Sequence, residues 1–158
     1  MMMVRRIALL DRDGVLTIPP ENEGKWYAPQ SLAELRFYED AVVSVQRLRR
    51  AAYEVVIVTN QPDIASGLLT REVLDGIHDL VRNQRRIQAI HTCPHATEDS
   101  CLCRKPLAGL LLAESAVDPV DFASSWLVGD HESDIRAGRT AGCRTVFIDR
   151  GWSHEDGS

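Results

Sequence analysis

Short apolar segments alternate with amphipathic segments along most of this sequence, and this alternation constrains the fold more than any other feature. The apolar segments at residues 7–10 and 55–58 have the length of strands, whereas the stretch after Thr70 repeats apolar residues at helical spacing. Strands that alternate with helices are typical of strand–helix–strand units and a parallel sheet. We therefore predict an α/β fold, a three-layer α/β/α sandwich built around a mostly parallel, Rossmann-like sheet.

Capping and turn residues set the predicted boundaries of these elements. Asp40, Thr70 and Ser133 are candidate N-caps of three helices, because their side-chain oxygens can accept a hydrogen bond from the first helical turn. A further short helix is predicted over residues 107–116. The segment 19–29 contains three prolines and Gly24, which favour neither a regular helix nor a strand. The predicted strands span residues 7–10, 55–58, 87–90, 126–128 and 145–148.

The composition is that of an ordinary globular domain and limits the expected partners. The chain has 158 residues, 44% of them hydrophobic, which fits a single domain over residues 1–158. Lys and Arg number 18 and Asp and Glu 23, so the net charge is −5, and a mildly acidic chain without a basic stripe is a poor candidate for nucleic-acid binding. With no apolar run of membrane-spanning length and no secretory-signal pattern at residues 1–6, we expect a cytoplasmic monomer that binds neither nucleic acid nor a membrane.

Polar residues directly follow several of the predicted strands. In an open parallel sheet the carboxyl ends of the strands meet at one edge, where ligands bind, so these residues should converge. Four carboxylates in one crevice repel one another strongly unless a cation is held there, and hard oxygen ligands point to Mg²⁺. The converging residues are Asp11, Asp13, Thr59, Lys105, Asp130 and Asp134.

Carboxylates beside a lysine and a threonine are suited to phosphoryl transfer. Asp11 can attack phosphorus and form an aspartyl-phosphate, while Asp13 protonates the leaving alkoxide and then activates the water that cleaves the intermediate. The ammonium of Lys105 and the hydroxyl of Thr59 can offset the charge of the transferring group. These residues predict a phosphatase, a phosphoric monoester hydrolase.

Three of the four cysteines are crowded beside a histidine. Thiolates and imidazole suit tetrahedral Zn²⁺, and four protein ligands leave no open position, so we expect a structural zinc loop over residues 93–103. A pair of reduced thiols or a disulfide is the alternative. The candidate ligands are Cys93, His95, Cys101 and Cys103.

Four motifs in order resemble those of the haloacid dehalogenase superfamily of phosphatases, over roughly residues 6–150. The resemblance implies the fold of that superfamily, Asp11 as nucleophile and Asp13 as acid and base, and a phosphoryl group bound by Thr59 and Lys105. It also implies Mg²⁺ held by the side chains of Asp11 and Asp130 and by the main-chain carbonyl of Asp13. The motifs are Leu10-Asp11-Arg12-Asp13-Gly14-Val15, Val58-Thr59-Asn60-Gln61, Cys103-Arg104-Lys105-Pro106 and Val128-Gly129-Asp130 with Asp134.

The cysteine and histidine loop is similar to that of one branch of the superfamily, the heptose-bisphosphate and histidinol-phosphate phosphatases, in which a zinc loop stands in for a cap domain. Residues 60–67 resemble the heptose type, whereas the short spacer between His95 and Cys101 resembles the histidinol type. An uncapped site implies recognition by surrounding loops, with Asn60, Gln61 and Arg104 as substrate-binding residues. The resemblance favours removal of the 7-phosphate of D-glycero-D-manno-heptose 1,7-bisphosphate, on the route to nucleotide-activated heptose, with histidinol phosphate as the alternative substrate.

Two other classes of protein carry some of the same features. A phosphoacceptor signalling domain also places acidic residues, a threonine and a lysine at the ends of parallel strands, but a group positioned like Asp13 speeds loss of the phosphoryl group, which a signal must retain. A catalytically silent zinc-bearing module would need neither Asp11 nor Lys105. We therefore rank both below the phosphatase.

Overall fold

A five-stranded parallel sheet forms the centre of the protein, in the order β5-β4-β1-β6-β7. The structure is a computed structural model that describes residues 3–152, the side chains at positions 84 and 85 apart. The strands are Ile7–Leu10 (β1), Glu21–Asn22 (β2), Lys25–Trp26 (β3), Glu54–Asn60 (β4), Ala89–Cys93 (β5), Trp126–Gly129 (β6) and Arg144–Phe147 (β7). The α-helices are Glu39–Arg50 (α1), Asp63–Ser66 (α2), Arg71–Arg85 (α3), Gly109–Leu112 (α4) and Glu132–Ala141 (α5).

Side chains of β1 alternate between two apolar cores, one on each face of the sheet. Ala8 and Leu10 belong to the core that also contains Val45 of α1 and Ile77 of α3. Ile7 and Leu9 belong to the core on the other face, together with Leu111 of α4 and Ala137 of α5. Since strand residues alternate between faces, this packing requires helices on both sides. The predicted three-layer α/β/α fold is confirmed.

The strand order reverses at β1, which places the candidate chemistry at one point. Leu10 pairs with Ile57 of β4 on one side and with Val128 of β6 on the other. The residues that follow Leu10 and Val128 therefore emerge next to the end of β4. A crevice at such a switch point is the usual ligand position in this kind of sheet.

Some predicted boundaries are wrong, for local reasons. Thr70 caps α3 as predicted, because its hydroxyl accepts a hydrogen bond from the Val73 amide at 3.2 Å. Asp40 and Ser133 do not cap their helices. The first helix begins at Glu39, after Tyr38, and the last begins at Glu132, where the carboxylate of Asp134 accepts from the His131 amide.

Three further predictions differ from the structure in the place or the kind of regular element. The segment 19–29 contains a short antiparallel hairpin, β2 and β3, because Glu23 (φ 52°) and Gly24 (φ 77°) adopt the left-handed conformations of a two-residue turn. The strand predicted over 87–90 lies instead at Ala89–Cys93, and the helix predicted over 107–116 is α4 followed by a 3₁₀ turn at Ala113–Ala116. Within residues 3–152, no helix combines the length and the apolar character needed to cross a bilayer.

Candidate active site

Three neighbouring strands deliver the candidate residues to one crevice. Asp11 follows β1, Thr59 lies at the end of β4, and Asp130 follows β6. The Asp11 amide donates to the carbonyl of Val128 at 3.0 Å, which fixes the start of the first loop against β6. The predicted convergence at the carboxyl edge of the sheet is therefore present.

Four side chains form what we call the carboxylate cluster, namely Asp11, Asp130, His131 and Asp134. One candidate ligand atom from each lies within 4.8 Å of all the others. The close packing depends on Gly14 (φ 89°), because a Cβ at this position would overlap the carboxylate of Asp130. The loop after β1 can pass over Asp130 only with glycine at that point.

The carboxylate cluster contains an internal counter-charge, the buried ammonium of Lys105. Its Nζ lies 3.0 Å from Oδ1 of Asp11 and 2.5 Å from Oδ1 of Asp134, and it donates to the carbonyl of Val58 at 2.8 Å. Burial alone lowers the pKa of Lys105, but the carboxylates of Asp11 and Asp134 outweigh it and raise that pKa above its usual value. The lysine therefore stays charged within the carboxylate cluster.

The pKa values of the carboxylates indicate that a bound cation would stabilise the cluster. Burial, with the negative charge of Asp134, raises the pKa of Asp11 well above its usual range, although Lys105 opposes this. Burial also favours a raised pKa for Asp130, but hydrogen bonds from His131 and Trp152 outweigh it and lower that pKa. Asp11 is thus destabilised as an anion, and a bound cation would reverse this.

The donor set fits a hard divalent cation. Three of the four members are carboxylates, the ligand type that Mg²⁺ prefers. His131 is the exception, and its Nδ1 lies 3.0 Å from Oδ1 of Asp130. The imidazole therefore fits a partner of Asp130 better than a ligand of a hard metal.

Asp13 is held at both carboxylate oxygens. The fully buried Arg12 donates from Nε to Oδ1 at 3.1 Å and from Nη2 to Oδ2 at 2.8 Å. Thr17 donates to Oδ1 at 2.8 Å, and Gln61 donates to Oδ2 at 3.0 Å. Behind this pair, His78 Nε2 lies 3.0 Å from Nη1 of Arg12. These contacts restrict the carboxylate to a single orientation.

A cavity of about 460 Å³, the carboxylate cavity, opens above these groups. Most of the predicted site residues line it, but Asp130 and Gln61 do not. The buried amide of Gln61 donates to Asp13 and to Thr59, the latter at 2.9 Å. Asn60 both lines the cavity and clamps the Lys105 main chain, through hydrogen bonds of 3.1 and 3.2 Å. The predicted residues that line it are Asp11, Asp13, Thr59, Asn60, Arg104 and Lys105.

Cys93, His95, Cys101 and Cys103 form a second group, the Cys/His cluster, whose ligand atoms also lie within 4.8 Å of one another. The Sγ atoms of Cys93 and Cys101 are 3.6 Å apart, and Nδ1 of His95 lies 3.3 Å from Sγ of Cys103. All the cysteines are free thiols, so the disulfide alternative is not what the structure shows. Three thiols and an imidazole fit tetrahedral Zn²⁺.

The thiols of the Cys/His cluster differ in acidity. Burial raises the pKa of Cys93 to about 12. Burial also favours a raised pKa for Cys101, but hydrogen bonds from the main-chain amides of Arg104 and Cys103 outweigh it and lower that pKa to about 6. The Arg104 amide donates to Sγ of Cys101 at 3.4 Å, one residue before Lys105. The cluster and the carboxylate cavity therefore share a loop.

Several residues at the site carry no motif of their own. His131 could have been noticed as the neighbour of Asp130, whereas Arg12 is visible only as the residue between two aspartates. Trp152 follows the last strand, and its Nε1 donates to Oδ2 of Asp130 at 2.9 Å. No sequence signal links Trp152 to a residue 22 positions earlier.

Comparison with known proteins places this geometry among phosphatases. A HAD-hydrolase-like family model matches residues 102–157. The chain is 33% identical to a D-glycero-beta-D-manno-heptose-1,7-bisphosphate 7-phosphatase of Pseudomonas aeruginosa, covering 94% of this chain and 84% of that protein. It is 28% identical to a histidine biosynthesis bifunctional protein of Campylobacter jejuni, covering 90% of this chain but 41% of that protein.

A solved structure extends the likeness to the fold. The D,D-heptose 1,7-bisphosphate phosphatase of B. bronchiseptica, complexed with magnesium and phosphate, is 33% identical with a TM-score of 0.78. The match covers 90% of this chain and 79% of that chain.

Proposed function

This chain is a phosphatase that belongs to the haloacid dehalogenase superfamily, in the branch of the heptose-bisphosphate and histidinol-phosphate phosphatases, and we propose that it removes the 7-phosphate of D-glycero-D-manno-heptose 1,7-bisphosphate. The observation that carries this proposal is the convergence of Asp11, Asp13 and Lys105 on one cavity. The substrate is inferred from relatives such as the Pseudomonas aeruginosa protein, which is named as a heptose-bisphosphate 7-phosphatase.

We propose that the reaction begins with attack by Asp11 on phosphorus, which forms an aspartyl-phosphate. A divalent cation, Mg²⁺, would be held by the side chains of Asp11 and Asp130 and the carbonyl oxygen of Asp13, and its charge would offset the repulsion between a phosphate dianion and these carboxylates. Lys105 already touches Asp11, so its ammonium lies where the transferring oxygens develop charge. Thr59 lines the same cavity and can donate to one of those oxygens.

Asp13 serves as the acid and base in this scheme. It lines the carboxylate cavity two residues after the nucleophile, and its orientation is fixed by Arg12, Thr17 and Gln61. From there it protonates the leaving alkoxide in the first step and takes a proton from the attacking water in the second. Asn60 and Gln61 contribute by positioning, since the first clamps Lys105 and the second holds Asp13, whereas Arg104 lines the cavity as a contact for the substrate.

The Cys/His cluster takes no part in the chemistry. Its four donors would complete a Zn²⁺ site with no open position, which is the arrangement of a structural zinc. Because the Arg104 amide bonds to Cys101, a closed zinc site would hold the loop that presents Arg104 and Lys105.

Histidinol phosphate is the second candidate substrate, supported by the Campylobacter jejuni relative and by the short spacer between His95 and Cys101. The deciding experiment compares kcat/KM for both anomers of the heptose bisphosphate with kcat/KM for histidinol phosphate. A preference of about 100-fold, equal to about 2.7 kcal/mol of transition-state binding, would settle the choice.

The same assay tests the metal requirement. Chelation with EDTA should stop turnover, and excess Mg²⁺ should restore it, because the clustered carboxylates need a cation to admit an anionic substrate. Turnover that survives chelation would contradict the Mg²⁺ requirement.

A further inference from the structure

A cavity of about 560 Å³ lies between α3 and β5, the strand at one edge of the sheet. We call it the α3–β5 cavity. Its lining includes Arg71, Asp75 and His78 of α3 and Ile90 of β5. It shares no lining residue with the carboxylate cavity, so the proposed phosphatase chemistry does not account for it.

The most buried residue of this lining is His78, which is 7% exposed. Its Nε2 lies 3.0 Å from Nη1 of Arg12. A guanidinium can only donate, so Nε2 must accept and the proton of the neutral ring must lie on Nδ1. Burial and the charge of Arg12 keep the ring neutral by lowering the pKa of His78 to about 3. The imidazole therefore presents one N–H donor, at Nδ1.

The donor at Nδ1 of His78 has no hydrogen-bond partner among the residues that the structure describes. It is not one of the unpaired side-chain atoms that are sealed from solvent, so it is accessible from the cavity that His78 lines. Because Nδ1 carries the proton, it cannot coordinate a metal ion. A donor on a buried side chain gains free energy when it is satisfied, and an acceptor placed in the α3–β5 cavity would satisfy it.

Two opposite charges accompany this donor on the same face of α3. Arg71, Asp75 and His78 are separated by four and then three residues, a spacing that places them on one side of the helix. Among the described residues, neither Arg71 nor Asp75 forms an ion pair or a side-chain hydrogen bond. Asp79, by contrast, is paired with Arg82 at 3.3 Å. The described lining therefore offers an unpaired cation, an unpaired carboxylate and a buried N–H donor.

These three groups together select a ligand that carries both charges. Asp75 would repel a simple anion, and Arg71 would repel a simple cation. In a zwitterion, a carboxylate can accept from Nδ1 of His78 and pair with Arg71, while a neighbouring ammonium pairs with Asp75. An α-amino acid carries these two groups on one carbon atom. Its side chain can lie against Ile90, the apolar residue of the lining.

We propose that the α3–β5 cavity binds a compact zwitterion of the α-amino-acid class, with its carboxylate on His78 and Arg71 and its ammonium on Asp75. A carboxylate that accepts from Nδ1 makes Nε2 a stronger acceptor for Arg12, because hydrogen bonds in a chain polarise one another. Arg12 in turn holds both carboxylate oxygens of Asp13. The ligand thus contacts the support of the proposed acid and base without entering the carboxylate cavity.

The test is an NMR titration of the full-length protein with L-alanine, which follows the imidazole signal that is lost in His78→Gln. In the wild type this signal should shift saturably. Acetate and methylammonium, which each carry one of the two charges, should bind about fivefold more weakly or worse.

Variants of the two charged residues test the ligand's orientation. Arg71→Ala and Asp75→Ala should each weaken the affinity for L-alanine about fivefold. Both side chains are exposed, so the variants should fold. Glu72→Ala changes an exposed carboxylate of α3 outside the lining and should leave the affinity unchanged.

Absence of a saturable shift of the His78 signal up to about 100 mM L-alanine would overturn the site, since a Kd of several mM would already be visible there. Equal affinities for acetate and L-alanine would overturn the zwitterion, because Asp75 would then contribute nothing. L-alanine that raises KM for the phosphate substrate with kcat unchanged would place the ligand in the carboxylate cavity and overturn the assignment. The titration itself needs no turnover, so its outcome is independent of the proposed reaction.

Discussion

The carboxylate cluster and the Cys/His cluster each have four members, but the first opens to a cavity and the second forms a closed set of ligands. Each brings four candidate ligand atoms within 4.8 Å of one another, and each includes a residue at the carboxyl end of a parallel strand, Asp11 after β1 and Cys93 in β5. The carboxylate cluster already contains an ammonium, that of Lys105, and opens to a cavity of about 460 Å³. The Cys/His cluster supplies a complete tetrahedral set.

The difference shows how a substrate site and a structural site can lie side by side at one edge of the sheet. A site that binds substrate must leave space for it. It must also tolerate groups such as Asp11, whose ionised form is disfavoured until a cation binds. A supporting site is better closed, because every ligand then contributes to folding. The Cys/His cluster contacts the loop of the carboxylate cavity through Arg104, whose amide donates to Cys101 and whose guanidinium donates to the His95 carbonyl. Disruption of the carboxylate cluster should therefore lower mainly kcat, whereas disruption of the Cys/His cluster should lower mainly the thermal stability.

The largest effect is expected when the carboxylate cluster loses Asp11, the proposed nucleophile. Asp11→Asn should lower kcat by about 10⁴-fold or more, since an amide cannot supply the carboxylate oxygen that attacks phosphorus in the proposed mechanism. Phosphate release is the measurement, and Asp79→Asn, a change at an exposed carboxylate of α3, is the matched control. Wild-type turnover by Asp11→Asn would rule out an aspartyl-phosphate at this residue.

A smaller loss of activity is expected from a change at Asp13, the proposed acid and base. Asp13→Asn should lower kcat by about 10²- to 10⁴-fold with little change in KM, because an amide keeps the hydrogen-bonded position but cannot transfer the proton. Steady-state kinetics separate the two constants. An increase in KM with kcat intact would assign Asp13 to substrate binding instead.

Disruption of the Cys/His cluster should lower the thermal stability more than it lowers kcat. Wild-type protein should contain about one zinc per chain, and Cys101→Ser should lose it, with a fall in Tm of about 10 °C and a fall in kcat of only about tenfold through the displaced Lys105 loop. Metal analysis and thermal unfolding are the measurements. Cys143→Ser changes a buried thiol outside the cluster and should keep the zinc. Zinc retained by Cys101→Ser would contradict the assigned ligand set.

The sequence predicts the Cys/His cluster more completely than it predicts the carboxylate cluster. The Cys/His cluster could be predicted in full, because its ligands lie within eleven consecutive residues and their types specify the metal. In the carboxylate cluster the sequence predicts Asp11, Asp130 and Asp134, but it does not predict His131. Its supporting contacts depend on the folded chain, since Arg12 meets His78 across 66 positions and Trp152 meets Asp130 across 22. Periodicity places α3 correctly but cannot show which of its residues faces Arg12.

The smallest effect is expected from that hidden support. Burial and the charge of Arg12 lower the pKa of His78 to about 3, whereas in the unfolded chain it lies near 6.5. Between these values the unfolded chain binds a proton that the folded chain does not, so this residue makes stability fall as pH drops from about 6.5 toward 3, by at most about 1.4 kcal/mol per pH unit. His78→Gln removes the titration and keeps a group that can accept from Arg12. Its free energy of unfolding, measured by urea denaturation at pH 7 and pH 5, should therefore decline less than that of the wild type. Equal declines would show that the pKa of His78 is the same in the folded and the unfolded protein, and that burial beside Arg12 does not hold this imidazole neutral.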